Sequence, residues 1–170
     1  MANRVDSPAR EAAPALWLQL LTLVIAVVGL ADSIYITIQE ETGSTLLGCP
    51  ANGSGSVDCE AVLHSPEAVI LGIPVAAFGI VFYAFMVAIM TPWAWRSPRR
   101  KIWQLRLASL AVGMGFVIYL IYAELYEVGK ICLYCTSVHI LTFLLFSLTT
   151  MAAAIWGAPP ARGRAGPAGG

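Results

Sequence analysis

The sequence predicts an all-α membrane protein: a four-transmembrane-helix bundle with an extracytoplasmic loop and a short surface half-helix between helices one and two. Three observations predict it. The chain of 170 residues is 58% hydrophobic and only 12% charged, whereas a soluble domain is about half apolar and a quarter charged. The missing charge leaves four stretches near the roughly 20 apolar residues that a membrane span requires. The basic residues also sort to one side of those stretches, as they do in inserted helices.

The first span is expected over Leu16–Ile38. Its apolar run exceeds the roughly 7–15 residues of a signal-peptide core, and Ile34, Tyr35, Ile36 and Ile38 continue it where a cleavage site would fall, so it reads as a retained helix. A polar loop over 39–72 follows, its first half made flexible by Gly43, Gly48, Pro50, Asn52, Gly53 and Gly55. Ser65-Pro66-Glu67 then has the composition of a helix start: a capping serine, a proline at the first helical position and an acid in the first turn. That helix is expected to end by Leu71, because Gly72 and Pro74 interrupt it. The remaining spans are expected over Ile73–Trp93, Leu105–Tyr126 and Ile131–Trp156. Helices three and four, separated only by residues around Glu127–Lys130, must be antiparallel neighbours. Residues 1–14 read as a loose cytoplasmic arm, 15–156 as the membrane redox domain, and the Gly, Ala, Pro and Arg residues of 157–170 as a disordered tail.

Arg4 and Arg10 precede the first span, Arg96, Arg99, Arg100, Lys101 and Arg106 cluster between the second and third, and Arg162 and Arg164 follow the fourth. Nine of the ten basic residues thus share a side, against Lys130 alone on the other. The other connections carry Glu40, Glu41, Asp58, Glu60, Glu67, Glu124 and Glu127. Both termini are therefore expected in the cytoplasm, with the loop facing the periplasm or cell-wall space across the plasma membrane. Disulfides persist there. A formal net charge of zero argues against a nucleic-acid partner.

The four cysteines form two pairs. Cys132 and Cys135 open the fourth span at i, i+3, so both sulfurs share one face, and a helix N-terminus carries partial positive charge that favours thiolate. Cys49 and Cys59 lie in the loop. Buried packing explains the Cys-x-x-Cys poorly, since the pair stands at the water boundary and not at mid-span. Zinc binding with His64 and His139 is disfavoured by the loose Cys49–Cys59 spacing and an oxidising compartment. On its own, Cys49–Cys59 could be a loop staple; next to a second dithiol, its glycine-rich surroundings suit a cysteine that changes partners.

Asp58-Cys59, Ser65, Leu71-Gly72-Ile73-Pro74 leading to Gly79, and Cys132-Leu133-Tyr134-Cys135 occur in this order. Together they resemble the bacterial branch of the vitamin K epoxide reductase family, over about Gly29 to Thr149, in a form without a fused thioredoxin domain. The resemblance implies a four-helix bundle around a quinone (menaquinone or ubiquinone), its outer mouth covered by the loop. It implies Cys132 and Cys135 as the active-site pair, with Cys135 nearest the quinone, and Cys49 and Cys59 as a shuttle pair in which Cys59 exchanges with Cys132. Ser65 matches a family serine. Relatives often carry Asn in place of Val75 and Tyr in place of His139. Val75 cannot donate a hydrogen bond, whereas His139, one turn beyond Cys135, can reach a quinone carbonyl.

The implied activity is quinone-dependent thiol–disulfide oxidoreduction: a DsbA-like thioredoxin-fold partner is reoxidised and electrons pass through both pairs to the quinone, with no metal. Two other readings compete, quinone or epoxide reduction driven by outside thiols, and a non-catalytic membrane protein with a stapled loop. Asp32 is a further ionisable group within a span, where burial costs about 2.5–3.5 kcal/mol at mid-bilayer; a hydrogen bond to a neighbouring helix is its simplest role.

Overall fold

The computed structural model describes residues 14–49, 55–97 and 100–156. Most of the predicted arm, the tail, Pro50, Asn52, Gly53 and Arg99 lie outside the described residues.

The fold is mostly helical. Helix α1 runs Leu16–Thr42, α2 Cys59–Leu63, α3 Val75–Ile89, α4 Pro92–Trp95, α5 Arg100–Tyr122 and α6 Leu133–Trp156. α1, α6 and the continuous stretch Arg100–Val128 are each long and apolar enough to cross a membrane. α3 is apolar but shorter; its 15 residues cover about 22 Å at 1.5 Å per residue, against a hydrocarbon core of about 30 Å.

The second predicted span, Ile73–Trp93, is thus divided. Pro92 disfavours helical backbone at the preceding residue, and Thr91 is extended, its hydroxyl accepting from the Ala94 N–H at 3.4 Å to start α4. α1 continues past the expected Ile38, ending where Gly43 adopts a left-handed conformation and donates to Gln39 and Glu40 carbonyls.

The loop departs from expectation in a second way. Ser65–Leu71 is not a helix: Pro66–Ala68 makes one 3-10 turn, and Val69–Ile70 pairs antiparallel with Ile73–Pro74 as the two-stranded hairpin β1–β2. The Ser65 hydroxyl, expected to cap forwards, donates backwards to the Val62 carbonyl at 2.8 Å. The short helix between the first two long ones is α2, capped by Asp58, whose carboxylate accepts from the Ala61 N–H at 3.0 Å.

α1 packs against α3 and α6, and α5 packs against α6; α3 and α5 touch far more sparsely. Small residues set the close approaches. A Cβ at Gly29 of α1 would collide with the Tyr83 ring of α3, and one at Gly79 would meet the Ser33 hydroxyl oxygen at 2.8 Å. Tyr83 is fully buried and its hydroxyl donates to the Val138 carbonyl at 2.9 Å, with Thr142 Oγ1 also within 2.8 Å, joining α3 to α6. Asp32, as expected of an acid within a span, hydrogen-bonds a neighbouring helix: it accepts from the Ser137 hydroxyl of α6. The outward faces are apolar, with Trp17, Val24 and Val28 of α1 exposed, as suits helices whose solvent is lipid.

Candidate functional site

The two cysteine pairs meet at one end of the bundle through backbone pairing. Val57 forms an isolated parallel bridge with Ile131. The Asp58 N–H donates to the Ile131 carbonyl at 3.1 Å, and the Ile131 N–H donates to the Ser56 carbonyl at 2.9 Å. The residue after each bridged segment is a cysteine: Cys59 begins α2, and Cys132 immediately precedes α6. Both are buried in one apolar cluster with Cys49, Ile36 and Leu46. The approach to Cys49 is clamped separately. Tyr134 Oη donates to the Leu47 carbonyl at 2.7 Å, the Leu47 N–H donates to Tyr35 Oη at 3.1 Å, and the two rings lie 5.3 Å apart. The Lys130 ammonium adds a bond to the Gly55 carbonyl at 2.8 Å.

Cys49 and Cys59 form a disulfide, while Cys132 and Cys135 are free thiols. Cys132 stands just outside the fourth long helix, not in its first turn as the sequence suggests. There its sulfur acts as a helix cap and accepts from the Cys135 N–H at 3.2 Å. The i, i+3 spacing thus does two things: it aligns the sulfurs and supplies a backbone donor to one of them.

Cys132 is fully buried, away from water, whereas Cys135 lines a cavity of about 290 Å³ between α1, α3, α5 and α6. Ser65, Val75 and His139, singled out in the sequence, line the same cavity. Its walls are dominated by apolar side chains such as Phe82, Phe116 and Val138. His139 is 6% exposed, and its ring has no hydrogen-bond partner among the described residues. The imidazole is thus available to a guest. Val75, as expected, offers no polar atom, and the Ser65 hydroxyl proton is already given to Val62. Val112 of α5 and Phe78 of α3 line the cavity and are 74% and 37% exposed. A small, apolar cavity with few polar groups suits a flat ring with polar edges, so these residues fit the head group of a quinone.

One lining residue went unremarked in the sequence except as a loop charge. Glu124 is 7% exposed and faces the cavity. It sits in a π-helical turn, Ala123–Val128, that continues α5; the Gly129 N–H and the Lys130 N–H both donate to the Glu124 carbonyl. Its carboxylate lies near the Cys132 backbone N–H and the Cys135 thiol. A buried acid near a cysteine pair was legible only as an acid a few residues upstream of it.

Apolar helices, a disulfide in the loop after α1 and a dithiol at a helix entrance beside a cavity are the parts of a membrane thiol–disulfide oxidoreductase. Residues 20–150 match the Vitamin K epoxide reductase family. The chain belongs to that family.

Proposed function

We propose that this protein reoxidises a secreted DsbA-like thioredoxin-fold protein and delivers the electrons to a membrane quinone, in support of disulfide formation. The observation that carries the proposal is the Val57–Ile131 bridge, which brings Cys59 into one buried cluster with Cys132 while Cys135 faces the cavity.

The partner's dithiol reduces Cys49–Cys59 and leaves as a disulfide. Cys59 then attacks the Cys132 sulfur of a Cys132–Cys135 disulfide, and Cys135 departs as thiolate. Cys49 closes on Cys59, which frees Cys132 and restores the shuttle bond. Cys132 and Cys135 next re-form their own disulfide, releasing two electrons and two protons. A quinone supplies the acceptor for both. Cys135 and His139 would hold its head group, His139 as the donor to a carbonyl oxygen, with Ser65 among the residues lining the cavity. Direction follows potential: a DsbA-type couple at about −120 mV is already strongly oxidising, so the final acceptor must be more so.

In this reading α3 and α4 together make the second of four spans, both termini are cytoplasmic, and the loop faces outwards from the plasma membrane. The nine basic residues on one side support that orientation. In a variant without native cysteines, a cysteine at Gly55 should react with an impermeant thiol reagent in intact cells, and one at Ser97 should not. Labelling at Ser97 from outside would invert the orientation.

The function itself is tested by the redox state of the partner. Cells lacking this protein should accumulate the reduced DsbA-like protein, and restoring the chain should return it to the disulfide form. Purified protein should couple oxidation of the reduced partner to loss of quinone absorbance, one for one. A partner that stays oxidised in cells without the chain removes the proposal.

A further inference from the structure

The relay leaves open where the Cys135 proton goes while that sulfur is oxidised in an apolar site. Cys135 is half-buried and faces a cavity whose walls are mostly apolar, a poor medium for a free proton. Among the described residues, two acids lie close enough for their charge to act on the Cys135 thiol, Glu124 and Asp32; Asp32 is engaged by the Ser137 hydroxyl, and of the two only Glu124 lines the cavity with Cys135. His139 lines the same cavity, but no hydrogen bond joins it to either sulfur. Glu40 and Glu67 also line it, from the end of α1 and the 3-10 turn.

The backbone at Glu124 is specialised. α5 loosens into a π turn over Ala123–Val128, so that two successive N–H groups, from Gly129 and Lys130, converge on the Glu124 carbonyl. π turns inside helices often accompany functional sites. Here the turn places a buried carboxylate at the cavity wall, near the Cys132 N–H and the Cys135 thiol. An acid within a span is retained at a cost, which makes a role in chemistry its default reading.

We infer that Glu124 is the proton carrier of the Cys132–Cys135 pair, a catalytic residue that takes the Cys135 proton and hands it to the acceptor in the cavity. The inference rests on the relay proposed above. As the Cys132–Cys135 bond forms, the proton on Cys135 moves to the Glu124 carboxylate and the two electrons leave for the quinone. The proton on Glu124 then goes to a quinone oxygen, and the Cys132 thiol supplies the second. In the opposite half of the cycle, the proton that Cys59 loses as it attacks Cys132 passes to the Glu124 carboxylate, which returns it to the departing Cys135 thiolate. One carboxyl thereby serves both half-reactions and ends each turnover as it began.

The test uses the full chain and two variants, Glu124→Gln and Glu124→Asp. In single turnovers, Glu124→Gln should slow electron transfer from the reduced pair to quinone by about 100-fold or more, the usual weight of a positioned acid–base group. The quinone concentration for half-maximal rate should hardly change. Exchange between the partner and Cys49–Cys59 should keep its wild-type rate, because it precedes the step at Glu124. Glu124→Asp keeps the carboxyl and should recover much of the loss. A second readout needs no quinone. In reduced-minus-oxidised infrared difference spectra, the Cys135 S–H stretch should lie at low frequency in the wild type, as a donor to carboxylate, and move up in Glu124→Gln. A quinone step within about threefold of wild type in Glu124→Gln overturns the inference. So does an unmoved S–H band. Should Glu124→Gln not fold, Glu124→Ala decides by the same two readouts: a quinone step within about threefold of wild type or an unmoved S–H band refutes the role, and a slowed step with a shifted band supports it. Failure of the relay itself looks different, because wild-type protein would then pass no electrons to quinone while its S–H band still reported Glu124.

Discussion

Replacing Cys135 with alanine is expected to reduce quinone reduction to background and to join Cys59 to Cys132 in a disulfide. The reason is positional. The Val57–Ile131 bridge brings the segments that carry Cys59 and Cys132 together, and both sulfurs lie in one buried cluster. In the intact protein, Cys135 competes for Cys132 and resolves the mixed bond. Without it, the Cys132 thiol can attack only the Cys49–Cys59 bond, and the Cys59–Cys132 product lies buried away from other reductants. Only Cys49 can reverse the exchange, so a large share of the molecules should be trapped. Non-reducing peptide mapping should find the peptide that links Cys59 to Cys132. Finding only Cys49–Cys59 with a free Cys132 would mean that the two pairs do not communicate, and the relay would fall with them.

The second expected result concerns His139→Phe, which should weaken quinone binding roughly 5- to 150-fold. The range corresponds to about 1–3 kcal/mol, the cost of leaving a buried acceptor without its donor. Phenylalanine keeps a ring of similar shape, so the packing of α6 should survive. The effect should be large because neither of the other two candidate contacts substitutes for the imidazole. Val75 has no polar atom, and the Ser65 hydroxyl proton already belongs to the Val62 carbonyl. Thiol exchange between the partner and the Cys49–Cys59 pair should continue at its normal rate, since it takes place in the loop. The two assays separate cleanly: unchanged quinone kinetics would make His139 a packing residue, and loss of both activities would indicate damage to the bundle.

Much of this site was legible in the residues themselves. Composition and hydropathy located the long helices, because a membrane solvent imposes one rule over twenty residues at a time. The i, i+3 cysteines carried their own geometry, and His139 followed at one further turn. What failed depended on contacts distant in the chain or on competition between neighbours. Ser65-Pro66-Glu67 has every local mark of a helix start, yet the loop instead pairs Val69–Ile70 with Ile73–Pro74, and Asp58 does the capping. Thr91-Pro92 broke a run that hydropathy alone reads as continuous. The Val57–Ile131 bridge leaves no trace in either segment. Glu124 was counted among the loop acids, since a π turn that carries it inwards has no signature in polarity or period.

α3 and α5 touch sparsely, and Val112 and Phe78 line the cavity between them while remaining exposed. On the proposed reading this alters what concentration means for the protein, because a side wall that borders the bilayer would draw its acceptor from a two-dimensional pool. The quantity that governs supply is molecules per lipid, and litres of cytoplasm or buffer do not enter. Two preparations with equal quinone per millilitre but different amounts of bilayer would offer this site different supplies. A hydrocarbon tail could also stay dissolved among acyl chains while only the ring passes through the wall, so tail length would set residence in the membrane more than fit in the protein.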